Sequence, residues 1–179
     1  MTASTSEEAN QNLGFGTNAL ANLTTGGTNS AVGNFALNSL TTGRANTAIG
    51  TQSLAGLTTG LRNFGIGTGA LASIVTESDN IGIGHTAGFL IRGSSNTLIG
   101  SEAAQQMTSG SNLAAIGGIA ARYTNAGGNL ESADNGVFIG YDTRASANSN
   151  TNEIVIGYQG RGNGSNTTTL GNTSTQVLF

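Results

Sequence analysis

Few side chains in this sequence are of a type that does chemistry, and their spacing argues against most reactions. His85 is the single histidine, and it follows Gly84 in a slot filled elsewhere by Thr17, Asn34, Thr51, Thr68 and Ser101. It therefore reads as a polar surface substitution. A Ser-His-Asp triad needs three groups converging on one reacting atom, and no serine or orienting carboxylate is nominated beside it. Glu77 with Asp79 and Glu131 with Asp134 are the acidic pairs nearest to a calcium pattern. Such a cage takes about 6–8 oxygen ligands, so both pairs read as solvated loops. Gly65-Ile66-Gly67 and Gly82-Ile83-Gly84 have the look of nucleotide loops but lack the lysine of a phosphate-binding loop and the helix that follows one. With no cysteine there is no thiolate site. The expectation is a protein without catalysis, cofactor or metal.

Recognition has one better candidate. Arg122, Tyr123, Asn125, Asn129, Glu131 and Asp134 lie in an irregular stretch near 119–134. Long loops on a rigid scaffold carry binding, and a tyrosine among polar neighbours suits stacking on sugar rings. Six basic against nine acidic residues give a net charge of −3 without a basic stripe, so nucleic acid is not an expected partner. No stretch approaches the ~20 apolar residues that cross a bilayer, and no membrane insertion is expected.

The scaffold that must position these residues is legible in the glycines, 29 of 179 residues, with no proline or tryptophan. Gly16, Gly33, Gly50, Gly67, Gly84, Gly100 and Gly117 fall 16 or 17 residues apart, and Gly140, Gly157 and Gly171 continue the series. Each follows a large apolar residue such as Phe15, Ile49 or Ile156, and each has an asparagine four or five residues upstream. A fixed short period means stacked, near-identical coils. The expected fold class is all-β: a parallel β-solenoid or β-roll of about ten coils.

Within one coil, Thr47 to Ile49 alternates as a strand, with Thr47 and Ile49 on one face and Asn46, Ala48 and Gly50 on the other. The small residues two before the glycine (Gly14, Ala31, Ala48, Gly65, Gly82) suit close approach by another backbone or a neighbouring chain. Apolar pairs such as Leu54 and Leu57 fit a helical turn or a second strand, and a bent short segment is favoured. Thr-Thr-Gly at 24–26, 41–43 and 58–60 closes the coil, with glycine supplying a positive φ. The asparagine moves from four before the glycine (Asn12 through Asn96) to five before it (Asn112, Asn135, Asn152, Asn166), which places it on the opposite face. The position two before the glycine also grows, to Leu98, Phe138 and Val155, so the cross-section should change between about 98 and 117. The 23-residue spacing before Gly140 should loop out. About three large apolar side chains per coil, the residue before the glycine (Ile49) read as an interior plug among them, give a thin interior, so an elongated homotrimer with a pooled interior is expected.

The later repeats, Asn135-Gly136-Val137-Phe138-Ile139-Gly140 and Asn152-Glu153-Ile154-Val155-Ile156-Gly157, resemble the N-x-x-x-I-G motif of YadA-like adhesin heads, which are trimeric β-rolls. The earlier Asn46-Thr47-Ala48-Ile49-Gly50, with its Thr-Thr-Gly punctuation, is similar to repeats of bacteriophage tail fibres that carry a C-terminal intramolecular chaperone. The expected organisation is a polar N-terminal tail (1–9), a solenoid of 17-residue repeats (10–100), repeats that resemble YadA-like ones with an inserted loop (101–171) and, as the resemblance implies, a segment preceding a chaperone (172–179). It also implies a trimeric rod on the virion tail, joined to other tail-fibre segments and contacting a host-surface glycan or protein. The alternative is the head of a bacterial trimeric autotransporter adhesin on the cell surface, binding host matrix or cells.

Overall fold

The computed structural model describes residues 11–175. The polar tail expected over 1–9 and the chain end at Phe179 lie outside the described residues. Twelve short strands follow in order: β1 Leu13–Phe15, β2 Ser30–Val32, β3 Thr47–Ile49, β4 Phe64–Ile66, β5 Ile81–Ile83, β6 Thr97–Ile99, β7 Ala114–Ile116, β8 Ala133–Asp134, β9 Val137–Ile139, β10 Asn150–Thr151, β11 Ile154–Ile156 and β12 Thr168–Leu170. Among the described residues there is no helix. Ten of the strands form one parallel sheet in the order β1-β2-β3-β4-β5-β6-β7-β9-β11-β12, one strand per rung, so the chain is a solenoid of about nine turns. A second, two-stranded sheet pairs β8 with β10.

The rungs keep step with the glycines. Val32 pairs with Ile49, Ile49 with Ile66, and Ile116 with Ile139 across the long spacing. Gly50 explains why the period tolerates no substitute. Its φ is +129°, and a Cβ there would lie 2.6 Å from the carbonyl carbon of Gly67 on the next rung. Backbones of successive coils touch at this corner.

The inside of the coil is made by the small face of the strand. Ala31, Ala48 and Ala115 are fully buried in one apolar interior that runs along the stack and includes Leu37, Leu40, Leu54 and Leu57 in the early coils. The close approach, expected of another backbone or a neighbouring chain, is made by leucine side chains of the same chain: a Cβ on Gly82 would lie 2.6 Å from Leu71 Cγ, and one on Gly65 would lie 3.0 Å from Leu54 Cγ. The aliphatic residue before each anchor glycine is not an interior plug; Ile49 is 42% exposed.

Leucines reach the interior from a bent segment of unusual backbone. Leu20, Leu37, Leu54 and Leu71 all have φ between 50° and 54°. The left-handed region costs an L-residue roughly 1–2 kcal/mol. It is held because the stack fixes each amide: Leu54 N–H donates to Ala70 O at 3.0 Å and Leu71 N–H to Ala87 O at 2.9 Å. Glycine takes the slot at Gly88, where a Cβ would lie 2.5 Å from Leu98 Cδ1. Leu98 fills from the strand wall the volume that a leucine would have filled from the bend. Ala104 and Ala121 then occupy the bend, with Phe138 and Val155 on the strand wall.

The Thr-Thr-Gly turn works differently from expectation. Gly26, Gly43 and Gly60 do not adopt positive φ, while Gly110 in the related Thr108-Ser109-Gly110 does, at +138°. They are there for room: a Cβ on Gly43 would meet Gly60 O at 2.5 Å and Leu40 Cδ1 at 2.6 Å. The preceding threonines lock successive coils, Thr24 Oγ1 donating to Thr41 O at 2.9 Å and Thr58 Oγ1 to Val75 O at 2.9 Å.

The shift of the asparagine marks two jobs. Asn29, Asn46, Asn63, Asn80 and Asn96 are buried. Each Oδ1 accepts from the next rung; Asn46 Oδ1 takes Asn63 N–H at 2.9 Å and Asn63 Nδ2 at 3.1 Å, while Asn46 Nδ2 donates to Gly60 O at 2.9 Å. The ladder ends where Leu113 N–H donates to Asn96 Oδ1 at 3.0 Å. Asn112, Asn135, Asn152 and Asn166 sit one position earlier, at a left-handed corner with φ between 53° and 61°. Asparagine is among the few non-glycine residues that enter this region readily. Asn112, Asn135 and Asn152 are exposed.

Candidate functional site

The insertion near 119–134 stays largely in the wall. Tyr123 and Asn129 form an antiparallel bridge, and Thr124 N–H donates to Gly128 O at 2.8 Å, closing a small hairpin. Only its tip, residues 125–129, is a run of exposed positions. Leu130 is buried, and the N–H groups of Thr108 and Ser109 donate to Glu131 O, which returns the chain to the stack. The expected loop is thus a short protrusion, because a core leucine and the β8–β10 pairing hold the rest down.

The expected recognition residues are drawn into different contacts. Arg122 forms an ion pair with Glu102 and lies over the Tyr123 ring, 4.9 Å from its centroid. Arg144 lies over the same ring at 5.3 Å. Asn125 Nδ2 donates to Gly162 O at 2.8 Å, and Asn129 Nδ2 to Gln106 Oε1 at 3.4 Å. Asp134 Oδ1 accepts from Ser111 N–H at 2.8 Å, and Glu131 is exposed, its own N–H donating to Asn148 Oδ1 at 2.7 Å. Arg122 and Tyr123 are therefore brought together, while Asn125, Asn129 and Asp134 serve the junction between coils.

Beside Tyr123 runs a charged line. Asp142 accepts from Arg144 Nε at 2.8 Å and from Arg144 Nη2 at 3.1 Å, and Arg161 Nη1 donates to the Asp142 carbonyl at 2.9 Å. Burial works against the Asp142 charge, yet the hydrogen bonds and charge of Arg144, aided by Arg161, hold its carboxyl below the ordinary aspartate range. Glu153 is buried too, accepting from Gly164 N–H at 2.8 Å and Asn150 Nδ2 at 3.0 Å. It occupies the interior slot that asparagine fills in the early coils.

Of the acidic pairs, the carboxylates of Glu77, Asp79 and Asp134 bond within the fold, and Glu131 is exposed. Glu77 accepts the N–H of Thr76 at 2.8 Å, and Asp79 pairs with Arg62 on the surface at 2.6 Å, where the Arg62 hydrogen bonds hold the Asp79 carboxyl below its usual range. Among the described residues, no three His, Cys, Asp or Glu side chains gather in a metal-binding group. His85 is exposed.

Two surfaces stand out by their chemistry. The first is the outer face of the ten-stranded sheet, where parallel pairing in register lines the residues before each glycine into a row: Val32, Ile49, Ile66, Ile83, with Ile116 and Ile156 further along. A second row beside it includes Phe64 and Ile81. In this row Ile49, Ile116 and Ile156 are exposed and Val32, Ile66 and Ile83 half-buried, so apolar side chains recur at the surface rung after rung. The second is a corner where Tyr141 and Tyr158, 50% and 62% exposed, stack at 5.9 Å between centroids and 15° between planes. Their chemistry gives little hint in sequence, but both follow an anchor glycine, in a slot otherwise held by small or polar residues.

Comparison of the chain with protein-family models, with curated proteins and with solved structures gives no match.

Proposed function

We propose that this chain is a structural and receptor-binding part of a bacteriophage tail fibre, a homotrimeric rod on the virion tail that contacts the host cell surface. The observation that carries the reading is the outer face of the sheet: a β-solenoid with its own leucine interior still presents a continuous aliphatic face along its length. Three copies around a common axis bury three such faces against each other in a closed cyclic arrangement and leave the remaining walls wet. The pooled interior lies between the sheets, outside each coil. Burying that face stabilises the assembly at about 25 cal/mol per Å² of apolar area. The remaining walls, including the Arg122–Tyr123 hairpin, face the host-surface glycan or protein, and the two ends of the stack join other fibre segments.

The head of a bacterial trimeric adhesin is the second reading. It is favoured by the late coils, where Asn135 and Asn152 take the left-handed corner and Ile139 and Ile156 the outer row.

Light scattering on the purified chain tests the assembly: a mass three times 17.8 kDa is expected, and Ile49→Glu with Ile116→Glu should reduce it to one chain with the β spectrum intact. A wild-type monomer at micromolar concentration refutes it. Binding of the labelled protein to a panel of bacterial cells, against mammalian cells and matrix proteins, separates fibre from adhesin. Absence of binding to all of them refutes the receptor-binding part.

A further inference from the structure

We propose that the second row of the outer sheet face sets the register in which copies of this chain meet: parallel, with equal rungs level. The inference rests on the trimer reading above and names the side chains that specify its register.

The first row carries no such information. It is apolar at every rung, from Phe15 through Ile83 to Leu170, so a copy slipped along the stack or turned end for end meets an equivalent surface. The second row, two residues earlier in each strand, is not uniform. Bulk falls on β1, β4, β5, β9 and β11, as Leu13, Phe64, Ile81, Val137 and Ile154. The remaining strands β2, β3, β6, β7 and β12 carry Ser30, Thr47, Thr97, Ala114 and Thr168 in the same row. Leu13, Phe64 and Ile81 are exposed, with no interior to serve.

A separate observation concerns the hydroxyls. Among the described residues, those of Ser30, Thr47 and Thr97 take no hydrogen-bond partner, unlike the Thr41 hydroxyl, which donates to Thr58 O at 3.1 Å. Closed off by an apolar side chain, such a hydroxyl loses its water and gains nothing. Beside another hydroxyl it both donates and accepts.

Level, parallel copies satisfy the row throughout: Phe64 and Ile81 meet their own equivalents, and hydroxyls meet hydroxyls. Turned end for end about the middle of the sheet, Phe64 meets Ala114, Ile81 meets Thr97 and Thr47 meets Val137, so every bulky side chain faces a hydroxyl or an alanine. A parallel slip of two rungs fails in the same way, setting Ser30 against Phe64 and Ile81 against Ala114. A slip of four rungs restores the order but leaves four of the ten rungs of each copy uncovered. Only a surface with the same order of bulk and hydroxyl satisfies the row along its whole length, and a second copy of this chain carries one.

The absence of cysteine lets a nitroxide be placed on one engineered thiol at a time. Thr25 and Ser109 are exposed, hold the same place in the turn and lie five strands apart in the sheet order, an offset of about 24 Å at about 4.8 Å per strand. Assemblies of Thr25→Cys chains, of Ser109→Cys chains and of the two mixed are weighed by light scattering and then measured by pulsed dipolar spectroscopy. The expected result is a trimer with one narrow distance in each single-label assembly and an additional, longer one in the mixture. With Ser30→Ile, Thr47→Ile, Thr97→Ile and Ala114→Ile together, the row is apolar over those rungs as well, and the narrow distances should split into several. A monomer overturns the trimer reading and this one with it. A trimer in which the mixture adds a distance shorter than the Thr25–Thr25 one, or in which a single label already gives several, overturns the register alone. Narrow distances that persist in the isoleucine variant, or loss of its assembly, assign the row to packing and overturn its role in register.

Discussion

Replacing Asn46 by alanine tests whether the interior amide ladder, rather than leucine burial alone, holds the early coils in register. The side chain makes four hydrogen bonds: Nδ2 to Asn29 Oδ1 at 3.1 Å and to Gly60 O at 2.9 Å, and Oδ1 from Asn63 N–H at 2.9 Å and from Asn63 Nδ2 at 3.1 Å. Each bond contributes about 0.5–1.5 kcal/mol net, and buried groups that lose a partner add a desolvation cost. The Asn63 N–H and the Gly60 carbonyl are such groups, so a loss of about 3–5 kcal/mol is expected. The comparison is Asn112→Ala, an exposed corner with φ 58° and one side-chain bond to Asn135 Oδ1 at 3.1 Å. It loses a tolerant left-handed residue and little else, about 1–2 kcal/mol. Urea unfolding followed by far-ultraviolet circular dichroism, at one protein concentration because the proposed trimer would make stability depend on it, gives both values. Because coils interact mainly with their neighbours, the Asn46 variant should also broaden the transition. Asn46→Ala costing no more than Asn112→Ala would refute the ladder's role.

Gly50→Ala should prevent normal folding or cost more than about 4 kcal/mol, since its Cβ meets the next rung's backbone and φ is +129°; Gly127→Ala, with open space around it, should cost about 1 kcal/mol in the same melt. Gly88→Leu alone should overpack the interior by about 1–3 kcal/mol or more, and Leu98→Gly added to it should restore much of the loss, a coupling read from a double-mutant cycle. The Asp142 carboxyl lies below its ordinary value of about 3.9, so its contribution is complete above roughly pH 4 and is lost as pH falls through the lower folded value. Melting temperatures between about pH 6 and 2 should therefore fall less steeply in Asp142→Asn than in the parent, and equal slopes would refute the assignment.

How much of this was legible in sequence depends on which contacts a residue type can announce. Glycine spacing set the rungs correctly because only glycine survives where two backbones touch, and that constraint recurs at Gly33, Gly50 and Gly67 without dependence on side-chain context. The asparagine shift from Asn96 to Asn112 was visible for a similar reason, since amide ladders and left-handed corners draw on the same residue from opposite faces. What was misplaced was the inside. Alternation in Thr47-Ala48-Ile49 separates two faces but does not say which is interior, and bulk suggested Ile49. The deciding information lay in Leu54, whose left-handed backbone points a large side chain at Ala48's face; nothing in a leucine announces positive φ. The recognition residues were hard to rank because polar side chains at a junction satisfy either a ligand or the next coil. Asn125 and Asp134 do the second, bonding to Gly162 and to Ser111. Tyr141 and Tyr158 hold a slot that the fold fills elsewhere with threonine or serine, and they remain exposed there. A period therefore carries two kinds of information: what repeats is what the stack requires, and what departs from the repeat without being buried is what the stack leaves free to vary.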